Sequence, residues 1–447
     1  MFIVHVQNII LGDMTMENAS KSTLKGKMLP LSMLAASCGM FNILYLCVIF
    51  YVPFQSAFGF TNAQMGGLLA VFAILATPGN FIGGLVCDMF NPKYMLVGAC
   101  VVSASCGFAL STFPSYPVAL VIYVILSIPC GVLAWSPYCK LVGMMGDNSE
   151  QGRLFGTCNT IDGILTCTLT LGLTAFFGNS IGTRPSFRIV ILIMSSFYMM
   201  TGIGIALFYD YKKWSTINGV ASKPEKFTLK SLVSVIKLPF TWIAVIMLMG
   251  SYMASSCFTY MSPYLNAVYI LPVGLASAFG VITRYGVKVV ASPIGGFIRD
   301  RKFGGSTSKL GWLATSVVCI FIVLLLLLPK NTAFMIPAVI IALCAIFGYR
   351  LNNTSESTIY RQLKSTPPQL MGTIIGFASM LGYSSDLWLP SAIGRILDTN
   401  GDAGYKYVFL ILCGSLVMMS FGGVALYILF KREQQGGNIL TEAGTQI

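Results

Sequence analysis

The chain has 447 residues, of which 55% are hydrophobic and only 10% are charged. A soluble globular domain carries roughly 25% charged residues, so this composition excludes a water-exposed globule and predicts a membrane protein. The formal net charge of +13 would suit a nucleic-acid partner, but the basic residues follow membrane topology instead, and we exclude that partner.

Apolar stretches of membrane-crossing length follow one another along the whole chain. The twelve predicted spans lie at about 31–52, 63–87, 95–112, 118–139, 153–177, 187–209, 239–261, 273–298, 310–329, 333–358, 372–393 and 406–430. A polar segment rich in Lys and Ser separates the first six spans from the last six. We therefore expect an all-α membrane protein with a tail at 1–28, a six-helix bundle at 29–210, a linker at 211–238, a second bundle at 239–431 and a tail at 432–447.

Basic residues are concentrated on one side of the membrane in this arrangement. Most Lys and Arg lie in the tails, in the linker and in the loops that follow the even-numbered spans. Cytoplasmic loops carry an excess of these residues, so both termini are predicted to be cytoplasmic. The loops on the other side contain no N-glycosylation sequon, which is compatible with a bacterial inner membrane. We expect a multi-pass protein of the cell (inner) membrane.

One charged turn occurs twice, at half the chain length. Gly83–Asp88 and Gly295–Asp300 each end a long apolar run, and a cationic stretch follows each of them. A repeat of this kind indicates a duplicated transporter whose substrate binds between the halves. The acidic residues are predicted to pair with basic ones and to hold an inner gate closed. The predicted gate residues are Asp88, Lys93, Arg153, Asp300 and Arg301.

These turns resemble the signature of the major facilitator superfamily, which reads Gly-x-Leu-x-Asp-Arg-x-Gly-Arg-Arg/Lys. The matching residues are Gly84, Asp88 and Lys93 in the first copy, and Gly296, Asp300 and Arg301 in the second. The resemblance implies two pseudo-symmetric six-helix bundles that rock about a central cavity. It also implies a transporter rather than an enzyme, with no cofactor.

Span four and the loop after it carry a narrower resemblance. Gly131-Val-Leu-Ala-Trp135-Ser-Pro137, followed by Arg153, is similar to a pattern of the organophosphate:phosphate antiporter branch and its sugar-acid relatives. Phosphate-transporting members of that branch carry one arginine in span one and another in span seven. Neither predicted span contains a charged residue here, which argues against that mode of phosphate binding.

Cations inside predicted spans are the main candidates for substrate binding. A charge at the centre of a span costs about 2.5–3.5 kcal/mol on insertion scales, so it usually faces a cavity or a partner. Arg284 and Lys288 are four residues apart and are expected on one helix face, while Arg350 begins a polar run that includes Asn353. These four residues are predicted to bind an anion, and ion pairs between helices remain the alternative. Aromatic residues that could line the cavity are Tyr45, Trp135 and Tyr260.

Acidic residues inside spans are the candidates for energy coupling. Asp162 and Asp386 could carry a proton, and Glu356 could do so or could form a gate ion pair. The coupling species could be a proton, sodium or a counter-anion. The chain contains no Gly-x4-Gly-Lys-Ser/Thr motif, so ATP-driven pumping is disfavoured.

The sequence therefore favours a monomeric secondary transporter that moves a small organic anion across the bilayer by alternating access. The anion would be a sugar acid, a carboxylate, or a sulfonated or phosphorylated sugar. A proton-coupled exporter of hydrophobic or cationic compounds is the second interpretation. A membrane sensor without turnover is the third.

Overall fold

The computed structural model describes residues 21–146, 151–217, 234–304, 306–352 and 371–434. The regular elements within these ranges are helices, and the ranges contain no strand. The predictions for Asn353 and Glu356 lie outside the described residues.

The first half contains spans one to six. Span one consists of the short helices Lys21–Cys38, Phe41–Leu44, Leu46–Ile49 and Tyr51–Phe58, and spans two and three are the single helices Asn62–Met89 and Pro92–Leu110. Span four joins Tyr116–Ile128, a π-helix Pro129–Ala134 and Trp135–Gly143. Span five is Gln151–Phe177, extended by a 3-10 turn at Gly178–Gly182, and span six is Arg184–Phe208. A short helix, Tyr211–Ile217, follows.

The second half contains spans seven to twelve. Span seven joins Pro239–Phe258 and Met261–Tyr269, and span eight joins Val273–Val281, a π-helix Ile282–Gly286, Val287–Phe297 and a second π-helix Ile298–Lys302. Span nine is Thr307–Leu327, and span ten is Met335–Leu351, which follows a 3-10 turn at Thr332–Phe334. Span eleven joins Met371–Gly382, a 3-10 turn Tyr383–Leu387 and Leu389–Asn400, and span twelve is Tyr405–Gln434, which follows a 3-10 turn at Gly401–Gly404.

Ten segments of the described ranges are long and apolar enough to cross a membrane. One of them, Phe377–Leu429, has 53 residues, which is too long for one crossing at about 1.5 Å per residue, and it holds spans eleven and twelve. Asn62–Gly79 is bent by 107° from Tyr51–Phe58, so span two is a further crossing. The prediction of twelve spans is confirmed within the part of the chain that the structure describes.

Local sequence signals fix the helix ends around span two. The Thr61 hydroxyl accepts a hydrogen bond from the Gln64 backbone, and the Gln64 side chain accepts one from the Thr61 N–H, which forms a capping box. At the other end, the Asn91 side chain caps the next helix and Pro92 occupies its first turn. Proline is favoured there because the N–H that it lacks would have no helical partner. Spans two and three are therefore joined by a tight turn.

Three spans are broken at the same depth, and each break precedes a proline. Proline removes the hydrogen bond to the carbonyl four residues earlier. Pro53 follows the break at Phe50 in span one, Pro263 follows the break at Tyr260 in span seven, and Pro390 follows the 3-10 turn in span eleven. From the sequence, each of these spans was predicted to be continuous. Discontinuous helices are a common feature of transporter binding sites.

The two halves pack together at the end of the molecule opposite the termini, which we call the distal end. There, Leu389–Asn400 of span eleven packs along span two, and Val273–Val281 of span eight packs on Gly178–Gly182. Gly66 and Gly394 allow this approach: a Cβ on Gly66 would lie 2.3 Å from the Pro390 carbonyl oxygen, and one on Gly394 would lie 2.4 Å from that of Asn62. These contacts close the distal end.

Candidate functional site

A cavity lies between the two halves at the depth of the helix breaks. Its volume is about 110 Å³, and a smaller cavity of about 40 Å³ adjoins it. Both are lined by Val48, Ser255, Thr259 and Arg284, so they form one continuous site. A water molecule needs about 10–15 Å³ by this measure, so the site has room for several waters or one small solute.

Arg284 is at the centre of this site. It lies in the π-helix Ile282–Gly286 of span eight, and its guanidinium carbon is 4.3 Å from the centroid of the Tyr45 ring in span one. This cation–π contact crosses the interface between the halves. Single-turn π-helices occur frequently at functional sites, because the extra residue re-aims the side chains around it.

Asp386 supplies the opposite charge in the larger cavity. It belongs to the 3-10 turn that breaks span eleven, and Ser256 donates a hydrogen bond of 2.9 Å to its Oδ1 atom. Pro390 has no N–H to bond the Asp386 carbonyl, which explains why the helix is interrupted there. Asp386 and Arg284 interact electrostatically. Among the described residues they are not close enough to count as an ion pair.

The two halves contribute different chemistry to the cavity walls. The second half provides the charged groups and the hydroxyls of Ser255, Ser256 and Thr259. The first half provides mainly apolar side chains, among them Val48, Met65, Leu69 and Phe72. A ligand would therefore make its hydrogen bonds with the second half and its apolar contacts with the first.

Two tyrosines close the cavity on its distal side. The rings of Tyr51 and Tyr260 meet edge to face, with centroids 5.5 Å apart. The Tyr51 hydroxyl donates to Asn62 Oδ1 at 2.6 Å, and the Tyr260 hydroxyl donates to the Pro390 carbonyl at 3.1 Å. Each ring is thus fixed by the backbone or side chain of a neighbouring span, and the pair separates the site from the distal surface.

A second set of polar side chains, which includes the predicted coupling candidate Asp162, lies beside the cavity. Asn42 donates to the Tyr198 hydroxyl at 2.7 Å and to Thr166 Oγ1 at 3.4 Å, and it accepts a hydrogen bond from the Tyr285 hydroxyl. Thr166 in turn donates to Asp162 Oδ1 at 3.3 Å. Asn42 lies within an otherwise apolar run, and an isolated amide in a span is the one signal that could have indicated this cluster.

The structure brings several predicted residues together. Arg284, Tyr45, Tyr260 and Asp386 all line the larger cavity, and Arg350 lines the smaller one, with its guanidinium carbon 5.3 Å from the Tyr349 ring centroid. Their roles in binding and coupling stay predictions.

Other predicted site residues lie elsewhere. Lys288 is exposed and interacts electrostatically with Asp162, and neither residue lines the two cavities. Arg284 lines both cavities whereas Lys288 lines neither, and the expectation that the two share one helix face stays a prediction. Trp135 is 56% exposed, next to the Tyr138 ring, and lines neither cavity.

The predicted gate residues lie at the end opposite the closed one. Lys93 is in the first turn of span three, and Arg301 is in the last π-helix of span eight, where its guanidinium carbon is 5.3 Å from the Phe297 ring centroid. The side chains of Asp88, Arg153 and Asp300 lie outside what the structure describes, so the gate stays a prediction.

Comparison with known proteins places the chain in a family. The family model described as Major Facilitator Superfamily matches residues 31–390. The chain is 27% identical over 392 residues to the inner membrane protein YihN of Escherichia coli (strain K12), covering 86% of this chain and 91% of the relative. It is 22% identical over 398 residues to the glycerol-3-phosphate transporter of Bacillus subtilis (strain 168), covering 83% and 85%.

A solved structure shares the fold. The bacterial homologue of the human lysosomal transporter Spinster, crystallised in an inward-facing and occupied conformation, superposes with a TM-score of 0.66 at 15% identity, covering 91% of this chain and 97% of the other. The fold, the repeated turn and the family match agree, and the chain belongs to the major facilitator superfamily.

Proposed function

We propose that this protein is a secondary transporter that moves a small organic anion through the central cavity by alternating access. The observation that carries the proposal is the position of Arg284. Its guanidinium lies between the halves, lines both cavities and contacts the Tyr45 ring. A ligand bound there would touch both halves, which is the position that alternating access requires.

The energetic balance around Arg284 favours an anionic ligand. Placing an arginine at the centre of a span costs about 2.5–3.5 kcal/mol. A cation–π contact such as the one with Tyr45 stabilises the guanidinium by about 0.5–2 kcal/mol, which offsets part of that cost. The Asp386 carboxylate contributes attraction across the cavity, but Ser256 already bonds to one of its oxygens. An incoming carboxylate, sulfonate or phosphate would supply the charge-assisted hydrogen bonds that the guanidinium can form.

The class of anion is supported by the wall chemistry. The hydroxyls of Ser255, Ser256 and Thr259 suit a solute that carries hydroxyl groups. The relationship to a glycerol-3-phosphate transporter and the resemblance to the organophosphate:phosphate antiporter branch point the same way. We therefore propose a sugar acid, another carboxylate, or a sulfonated or phosphorylated sugar as substrate, driven by an ion or counter-anion gradient.

The orientation follows from the distribution of charge. The excess of Lys and Arg at the end that carries the termini supports a cytoplasmic position for that end. On this proposal, the closed distal end faces outward and the structure corresponds to a state closed to the outside. Relatives described as inner membrane proteins support a location in the cell (inner) membrane.

The proposal is tested by a thermal-shift screen of purified protein against sugar acids, carboxylates, sulfonates, sugar phosphates and lipophilic cations. Binding to the native state raises the apparent melting temperature. We expect an anion to stabilise the wild type, and Arg284→Ala to weaken its affinity about 10- to 100-fold, the value of one or two charged hydrogen bonds. Arg188→Ala, at an exposed position of span six, is the matched control.

Two outcomes would contradict the anion proposal. Stabilisation by lipophilic cations alone, unaffected by Arg284→Ala, would favour the exporter, with Asp386 as the cation anchor in the same cavity. Binding of an anion without uptake or exchange in proteoliposomes would favour a sensor without turnover.

A further inference from the structure

Span eight meets the first half through two consecutive polar contacts. The Arg284 guanidinium packs on the Tyr45 ring, and the Tyr285 hydroxyl donates to Asn42 Oδ1. Both contacts cross the interface between the halves. The second is a direct hydrogen bond from the residue that follows Arg284 in the chain.

Asn42 links this bond to the interior of the first half. Its side chain is 3% exposed, and its amide nitrogen donates to Tyr198 of span six and to Thr166 of span five. Tyr198 and Tyr285 therefore bond to opposite ends of one amide group. The Tyr198 bond stays within the first half, whereas the Tyr285 bond joins the two halves.

Arg284 and Tyr285 occupy the same five-residue π-helix, Ile282–Gly286. A π-turn is a local irregularity of the helix, and because the two residues are adjacent in it, a displacement of one changes the placement of the other. An anion that draws the guanidinium away from the Tyr45 ring would thus alter the direction of the Tyr285 hydroxyl. Because Oδ1 is the only oxygen of the Asn42 side chain, a reoriented Tyr285 hydroxyl would lose its acceptor there, and the hydrogen bond between the halves would weaken.

We propose that Tyr285 is a positioning residue whose hydrogen bond to Asn42 couples the placement of Arg284 to the closure of the two halves. The substrate part of this inference rests on the proposed function, in which Arg284 binds the anion. The mechanical part does not, because it concerns contacts that exist without a ligand. Loss of the bond should favour opening of the distal end, and the size of that effect should depend on the side chain at 284.

Opening of the distal end can be measured by hydrogen exchange of backbone groups that lie there. The backbone N–H groups of Asn62 and Ala63 donate to Asp398 of the other half at 3.0 and 2.8 Å, so separation of the halves there removes the acceptor and speeds exchange of their hydrogens with solvent. Hydrogen exchange of the peptide that covers residues 60–66, in the ligand-free full-length protein in nanodiscs, measures this opening. No substrate needs to be known.

The experiment compares wild type, Tyr285→Phe and Tyr198→Phe. Each tyrosine variant removes one hydroxyl that bonds to Asn42 and keeps the ring. We expect Tyr285→Phe to raise exchange of the reporter peptide about fivefold, the effect of one net hydrogen bond. Tyr198→Phe should change it less than about twofold, because its bond does not cross the interface. The melting temperatures of all variants show that the fold is retained.

A double-mutant cycle with Arg284→Lys then tests the coupling. The effects of Arg284→Lys and Tyr285→Phe on exchange should be non-additive, whereas those of Arg284→Lys and Tyr198→Phe should add. The inference is overturned if Tyr285→Phe exchanges like the wild type, if both tyrosine variants give the same increase, or if the Arg284 and Tyr285 effects are additive. A failure of the anion screen would refute the proposed function, but the exchange experiment could still be interpreted because it uses the ligand-free protein.

Discussion

At the scale of single residues, the Asp386 carboxylate and an anionic substrate would compete for the Arg284 guanidinium in the larger cavity. Arg284 and Asp386 attract each other across the cavity, and an anionic substrate would bind the guanidinium in place of that attraction. Substrate binding would leave the carboxylate with only its Ser256 hydrogen bond. A carboxylate in that position favours uptake of a proton or a metal cation, which would couple the two movements.

This arrangement predicts opposite effects of Asp386→Asn on binding and on coupling. Removing the negative charge from the cavity should tighten anion binding about tenfold, because a like charge next to a bound anion is repulsive. Accumulation against a gradient should be lost, while exchange of anion for anion continues. Both are measured in proteoliposomes, with and without an imposed ion gradient.

The matched control is Asp162→Asn, since Asp162 is a carboxylate in a span that lines neither cavity. It should leave anion affinity unchanged within about twofold. Loss of accumulation in Asp162→Asn but not in Asp386→Asn would transfer the coupling role to Asp162.

At the scale of helices, the distal closure depends on the beginning of span two. Asp398 of span eleven accepts hydrogen bonds from the backbone N–H groups of Asn62 and Ala63 and, at 2.8 Å, from the Asn62 side chain. A carboxylate at a helix N-terminus is stabilised by the unsatisfied N–H groups and the helix dipole. Here the carboxylate belongs to the other half of the molecule and adds to the Thr61–Gln64 capping box, so opening the distal end removes these additional hydrogen bonds from the helix N-terminus.

Asp398→Asn is therefore predicted to favour the open distal end. The amide keeps one acceptor but loses the charge, and an exposed charge at a helix end contributes about 0.3–1 kcal/mol, which corresponds to roughly two- to fivefold in the opening equilibrium. Exchange of the peptide that covers residues 60–66 measures it. Asp402→Asn, an exposed carboxylate at the same end, should have no effect, and an equal increase in both variants would argue for a non-specific charge effect instead.

At this scale, the sequence was sufficient to predict the number of spans but not the way in which their breaks are arranged. Hydropathy gave the twelve spans, because lipid imposes a uniform length and polarity on each of them. The breaks at Pro53, Pro263 and Pro390 follow from a local rule, yet their common depth is visible only when the spans are packed. Arg284 was predictable because a charge in a span is costly.

The partners of the site residues were less accessible to prediction. Serine and tyrosine are ordinary residues in a span, so nothing local marks Ser256 as the partner of Asp386 or Tyr285 as the partner of Asn42. The π-helix at Ile282–Gly286 contains no proline that would mark it in the sequence. These features arise from packing between spans that are far apart in the chain.

At the scale of the whole molecule, alternating access requires that the two halves separate at the distal end and return without rearranging their interiors. The closed contact is made by backbone against backbone. Span two touches the Pro390 carbonyl at Gly66, and span eleven touches the Asn62 carbonyl at Gly394. A backbone carbonyl in a helix cannot move aside as a flexible side chain can, so a methyl group at either glycine must push the halves apart.

Gly66→Ala is accordingly predicted to hold the distal end open. The added Cβ would lie 2.3 Å from the Pro390 oxygen, a distance that only separation of the halves can relieve. We expect exchange of the peptide that covers residues 60–66 to rise about 5- to 150-fold and transport to fall by a similar factor, since a clash of this kind costs roughly 1–3 kcal/mol. Gly414→Ala in span twelve is the matched control, because nothing lies within 4 Å of its Cβ position. This variant should transport like the wild type, because Gly→Ala within a helix stabilises the folded helix by about 0.5–1 kcal/mol and causes no clash at this position. Normal transport by Gly66→Ala would show that the protein works without the closed distal contact, and would contradict the rocking of two rigid halves.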